Sequence, residues 1–286
     1  MSIQLIPYKP AGTIGSGPYV LREYKPDTGV DVSALSITYT GAHTDYGMVT
    51  MSDGARYRLL AFTSSGTLSI EQPVNCEVCV VGGGANGSKA TSDQGGDGGA
   101  GAYLKNQSVS AYNGGSLVVG ASQGVSSIAD VSVNAVSGKS GGTGAGGKTA
   151  GTGDGISKYP FEDTGYSLWS GKPHCAGGGQ GAFNFMQNGY FYGYSGGNGG
   201  TNGGNGYPGG STQVYKPSAG NGGSYGGGAG GTGTYPTYNG GNATYYGSGA
   251  GGGGYFRSNG GIVDLFPGGS GYQGIVYMRI PEEQAA

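Results

Sequence analysis

Apolar and polar positions alternate in short, uneven runs that gather toward the two ends of the chain. Ala34–Thr40 (ALSITYT), Gly47–Met51 (GMVTM), Tyr57–Thr63 (YRLLAFT) and Thr67–Glu71 (TLSIE) read as strands, and Ser64-Ser65-Gly66 between the last two is a hairpin signal. Cys76–Val81 (CEVCVV) is almost continuously apolar, the pattern of a strand covered on both faces. Ser116–Val119 and Val131–Val136 add shorter β-like pieces, and Gly274–Ile280 (GIVYMRI) supplies a closing strand. No segment keeps a helical period over 11 residues, so almost no α-helix is expected.

Between the apolar ends the pattern dissolves into glycine. The chain has 70 glycines in 286 residues, against about 7% in an average protein. They cluster in tracts such as Gly196–Gly206, Gly220–Gly233 and Gly247–Gly254. Glycine loses the most backbone entropy on ordering and buries no side chain, so such tracts form neither ordinary helices nor ordinary strands. Disorder fits poorly, because charged residues are only 10% of the chain and tyrosines number 23. Collagen fails for want of a strict Gly-X-Y period. Two readings remain: ordered irregular glycine loops and, fitting better, a bundle of polyglycine II helices, three residues per turn, whose backbone groups bond laterally to neighbouring tracts. The expected fold is therefore mainly β with irregular structure, a small β-sandwich with an inserted polyglycine II bundle. Its parts are an extended arm at 1–30, a sandwich from 31–81 plus 274–280, and a glycine-rich region with Tyr-rich loops at 82–273.

Charge and cysteine content narrow the chemistry. The formal net charge is −2, which argues against nucleic acid. The start MSIQLIPYKP lacks the basic and apolar regions of a signal peptide, and no run reaches the roughly 20 apolar residues of a membrane span. Gly142–Thr149 (GTGAGGKT) matches the phosphate-loop pattern through Lys148 and Thr149, and Gly82–Gly87 (GGGANG) mimics a dinucleotide fingerprint. Neither is followed by a sequence that can begin a helix, so neither is read as a nucleotide site. Cys76 and Cys79 would point to opposite faces of a strand, which separates two of the three thiols a zinc site with His174 and Cys175 would need. They read as small buried hydrophobes, with a disulfide to Cys175 left open. Glu162 and Asp163, with Asp154, are the nearest approach to a carboxylate pair, and read as loop residues rather than as a glycosidase dyad. No catalytic residue, metal ligand or cofactor is expected.

Two framing segments carry a resemblance. Phe62–Gly84 (FTSSGTLSIEQPVNCEVCVVGGG) and Gly268–Ile280 (GGSGYQGIVYMRI) resemble the glycine-rich domain proteins of bacteriophage tail genes. Similar regions occur in tail-tip adhesins of T-even-like phages and in receptors of the anaplastic lymphoma kinase type. The chain departs from that pattern at Cys76 and Cys79 and in the length of its Tyr-rich insertions. The resemblance implies a virion structural protein, most simply a tail-fibre or tail-tip adhesin, and no enzyme. Its implied partners are other virion proteins, through the arm, and a host-surface glycan or outer-membrane protein. A homo-oligomer is compatible with this, although no heptad repeat encodes one. A decoration protein with a purely structural role is the first alternative, a glycan-degrading tailspike the second and an ice-binding protein the most remote. Tyrosine, serine, glycine and asparagine make binding loops at low entropy cost. The candidate receptor-binding residues are accordingly Trp169, Tyr190, Phe191, Tyr192, Tyr235, Tyr238, Tyr245 and Tyr246.

Overall fold

The computed structural model describes residues 30–91, 95–96, 98–129, 131, 133–135, 159–172, 174–179, 181–187, 190–194, 214–215, 228, 239–257 and 263–284. The described chain is mainly β with almost no helix. Eight strands make the larger sheet: β1 (Ile37–Tyr39), β2 (His43–Thr50), β3 (Arg56–Phe62), β4 (Gly66–Val81), β5 (Leu104–Val118), β6 (Ser126–Ile128), β7 (Val133–Ala135) and β13 (Ile275–Pro281). Their order is β2-β3-β13-β4-β5-β6-β7, with β1 on β4. The closing strand thus lies between β3 and β4, antiparallel to both.

Alternation explains why the runs in β3, β4 and β13 are almost unbroken. Leu60, Phe62, Val78, Val80, Val276, Met278 and Ile280 pack on one face. Leu59, Ala61, Cys79, Val81, Ile275 and Tyr277 pack on the other. Successive strand residues point to opposite faces, so a strand buried twice has no polar side left. The first face is enclosed as the sheet curls into a half-barrel, with Leu68, Ile70, Val74, Tyr112, Leu117 and Ile128 completing the core. Cys76 belongs to this core and Cys79 to the opposite one, as expected for thiols three residues apart on a strand. All three cysteines are buried and no disulfide joins them.

β4 is longer than its sequence suggests. Pro73 stands where its pairing with β5 lapses, between the Ser69–Gly114 and Val74–Tyr112 partners, and needs no ladder donor there. β5 matches the break with Ala111, Gly114 and Gly115, all at positive φ. A second sheet, in the order β10-β9-β8-β11-β12, joins β8 (Phe183–Gln187), β9 (Tyr190–Tyr194), β10 (Val214–Tyr215), β11 (Tyr255–Arg257) and β12 (Val263–Leu265).

The glycine tracts bond to one another through their backbones. Residues 248–253 exchange hydrogen bonds with six other stretches among the described residues. Ala250 and Gly253 donate to Ala85 and Ser88; Gly249 and Gly252 donate to Ala176 and Gly179; Gly251 donates to Gly241. Gly99 and Gly96 donate to Ala250 and Gly253, Tyr272 and Gly269 to Ser248 and Gly251, and Gly228 to Gly249. Partners on four of the six neighbours recur every third residue. A Cβ added at Gly249 would fall on the carbonyl of Gly99, and one at Gly178 on the carbonyl of Ala250. Glycine is required here by backbone approach, not by an unusual dihedral.

The expected arm at 1–30 lies, except for Val30, outside the described residues, as does the phosphate-loop-like stretch 142–149. Gly82–Gly87 leaves β4 as an extended tract bonded to 269 and 272.

Candidate functional site

The second face of the large sheet is covered by the insertion at 159–169. The Phe161 N–H donates to the Asn106 side-chain oxygen of β5 at 3.0 Å, and Asp163, Arg279 and Trp169 add further contacts. The Asp163 carboxylate accepts from the Ser52 backbone and hydroxyl and from the backbone N–H groups of Gly165 and Tyr166. Partial burial works against the charge, but these bonds outweigh it and hold the carboxyl below its usual range. The Arg279 guanidinium bonds Glu77 at 2.8 Å and lies over the rings of Tyr57 and Phe161, 4.4 and 4.6 Å from their centroids. Trp169 stands edge-on to Tyr166 and Tyr277, with centroids 4.9 and 5.4 Å apart, and its indole N–H donates to the Asp163 carbonyl.

Above this floor a tight turn sets two tyrosines side by side. Gly247, at φ +69°, donates to Gln273 and accepts from Ala102. A Cβ there would meet the Cys175 sulfur and a Val81 methyl at 2.8 Å, so glycine is needed for both dihedral and space. The turn places Tyr245 and Tyr246 with centroids 5.5 Å apart, and Tyr272 edge-on to Tyr246 at 5.6 Å. Tyr46 projects from a bulge in β2 between Asp45 and Met48, where Gly47 takes φ +65° and Asp45 is paired with Arg58 at 2.6 Å. Tyr46 lies near enough that a negative charge on it would oppose ionisation of Tyr166, Tyr245 and Tyr246, while ring contact joins Tyr245, Tyr246 and Tyr272. Tyr46 and Tyr272 are 41% and 36% exposed, the largest exposed aromatics among the described residues; Tyr166, Tyr245 and Tyr246 are half-buried.

At neutral pH Tyr166, Tyr245 and Tyr246 are un-ionised phenols. Burial, reinforced by Tyr246 and Tyr46, pushes Tyr245 up to about 12, and burial raises Tyr166 and Tyr246 as well. Beneath them burial lowers His174 to about 3, leaving a neutral imidazole. Burial also pushes the Cys76 thiol up to about 12 and Cys79 higher, which makes both poor nucleophiles. The arrangement suits stacking and neutral hydrogen bonding. Among the described residues, no three His, Cys, Asp or Glu side chains gather as a metal-holding group, and no helix is long and apolar enough to cross a membrane.

Of the residues anticipated from sequence, Tyr245 and Tyr246 lie together on this platform. Trp169 does not contact solvent: it is 0% exposed and forms the platform's floor, a correction that follows from its docking on Tyr277. Tyr190, Phe191 and Tyr192 are in β9, paired with Gln187, Met186 and Phe185 of β8. Tyr235 and Tyr238 lie outside the described residues. Tyr46, Tyr166 and Tyr272 were not anticipated. Tyr272 stands inside the closing motif GGSGYQGIVYMRI, whose apolar pattern draws attention to the strand rather than to the residue before it.

No family model, no curated protein and no solved structure matches this chain.

Proposed function

We propose that this chain is a structural protein of a tailed-bacteriophage virion, a tail-fibre or tail-tip adhesin that binds the host surface through aromatic side chains on a glycine-rich scaffold. The observation that carries the reading is the cluster of Tyr245, Tyr246 and Tyr272 in ring contact, with the first two set on a turn that only glycine can make and Tyr46 and Tyr166 nearby. Recognition residues commonly sit on loops held by a rigid frame. Tyrosine offers an apolar face for a sugar ring or apolar side chain and a hydroxyl for a hydrogen bond. The binding is non-covalent, needs no cofactor and involves no nucleic acid.

The finer architecture we propose is a small sandwich carrying a polyglycine II bundle. The three-residue recurrence of the bonds around 248–253 supports the bundle. A core drawn from β1 and the first half of β4, as well as from β3 and β13, supports the sandwich. The arm at 1–30 is assigned to attachment within the virion. Antibodies against the purified chain test the placement. Labelling of tail ends together with blocked adsorption is the expected result, whereas labelling of the capsid surface without any effect on adsorption would favour a decoration protein.

A further inference from the structure

Beneath the paired tyrosines lies an ionisable side chain with no counter-ion among the described residues. His174 is 0% exposed. Its Nε2 is 3.1 Å from the Tyr277 hydroxyl, and its Nδ1 has no hydrogen-bond partner among the described residues. Three rings enclose it: Tyr245 edge-on at 5.0 Å, Tyr277 edge-on at 5.7 Å and Tyr246 stacked at 6.1 Å. β13 contributes Tyr277 to its surroundings and the turn contributes Tyr245 and Tyr246. β4 brings Cys79 and β2 brings Tyr46 to the same neighbourhood, where both act on Tyr277, and Cys175 follows His174 in the chain. None of these is a carboxylate, and burial alone governs the imidazole's ionisation.

We propose that His174 is an acid trigger for the platform: protonation of its imidazole in the aromatic enclosure opens the 245–248 turn and removes the paired tyrosines from their binding arrangement. The proposal rests on the adhesin reading for its biological meaning but not for its physics. A charge placed among neutral rings with an unsatisfied N–H is strongly disfavoured, whereas the same imidazole facing water titrates normally. The covering turn is tied to its surroundings by single bonds rather than by a strand ladder: Cys175 donates to Tyr246, Gly247 to Gln273, Ala102 to Gly247 and Tyr272 to Ser248, and Ala176 donates to the Ser248 hydroxyl, so a local opening that breaks these bonds reaches water. The sign follows from linkage. The closed form keeps His174 neutral down to about pH 3, while the open form takes a proton below 6.5. The preference for the closed form is complete above 6.5 and weakens by about tenfold for each pH unit below it, or about 100-fold by pH 4.5. Asp163, whose carboxyl is held low, stays ionised through most of that window.

The test is amide hydrogen exchange of the full chain at Cys175, Gly247 and Ser248, whose N–H groups make the bonds of the closed turn, between pH 7.5 and 4.5 and corrected for intrinsic exchange. Wild type is compared with His174→Phe, His174→Gln and, for the second histidine, His43→Gln. The expected result is a loss of protection of about 100-fold in wild type and in His43→Gln, and a flat profile in both His174 variants. Equal acid sensitivity in wild type and His174→Gln, or none in wild type, would overturn the proposal; His174→Gln decides if the phenylalanine variant does not fold. Binding to bacterial cells is followed in parallel. Acid opening without any cell binding at pH 7.5 would refute the adhesin reading and leave the trigger standing.

Discussion

Replacing Gly249 with alanine tests whether the glycine tracts are held by backbone approach. Gly249 lies in the 248–253 stretch, and its new Cβ would fall on the carbonyl of Gly99, with the Ala100 oxygen 2.6 Å away. Neither atom can rotate aside as a side chain would, so the tracts must separate. Overpacking of this kind costs about 1–3 kcal/mol. Separation also weakens the 2.8 Å bond from Gly249 N–H to Ala176 and the 3.0 Å bond from Gly228 N–H to Gly249, together about 2 kcal/mol. The expected loss is about 3–5 kcal/mol. Gly54→Ala is the control: φ is +83° and no atom lies within 4 Å of its added Cβ, so only left-handed strain of about 1 kcal/mol applies. Urea unfolding followed by circular dichroism measures both, provided the m-value is unchanged. A Gly249→Ala variant no less stable than Gly54→Ala would refute the close-packing argument.

Three further expectations follow from the same contacts. Trp169→Ala leaves a cavity beneath the tyrosines and should cost about 3–5 kcal/mol in urea unfolding; a loss under 1 kcal/mol would mean that the insertion is not docked on Tyr277. Asp163→Asn should lose about 2 kcal/mol of charge-assisted bonding at neutral pH. Because the folded carboxyl titrates below its ordinary 3.8, that stabilisation is complete well above 3.8 and is lost as pH falls through the folded value, so the gap between wild type and variant should close only in strong acid. The buried thiols of Cys76, Cys79 and Cys175 should resist a thiol reagent in the native chain and react in urea, and fast native labelling would contradict their burial.

How much of this was legible in the sequence depended on how local each feature is. The strands β3, β4 and β13 could be read because burial on both faces leaves a continuous apolar run. β5 could be read only at its C-terminal end, because Lys105–Ser108 is polar and exposed and Asn113-Gly114-Gly115 imitates a turn. The hairpin of β8 and β9 was hidden in what looked like an aromatic loop. Trp169 was misplaced for a tertiary reason: its flanks are those of a loop, and its burial comes from β13, more than 100 residues away in sequence. Tyr245 and Tyr246 were legible as neighbours, whereas Tyr46 and Tyr272 join them only once β2 and the closing tract are brought together. His174 drew attention only as a zinc-ligand candidate beside Cys175, since nothing near it in sequence announces an aromatic enclosure.

The central claim is recognition by the platform, and cell binding tests it most directly. Fluorescently labelled chain is titrated onto intact bacteria at pH 7.5, alongside a Tyr246→Ser/Tyr272→Ser double variant matched for stability. Saturable binding by wild type, reduced at least tenfold in the double variant, about 1.4 kcal/mol, is the predicted outcome. Equal binding by the two proteins would place recognition elsewhere on the chain, and no binding to a permissive host would contradict the account.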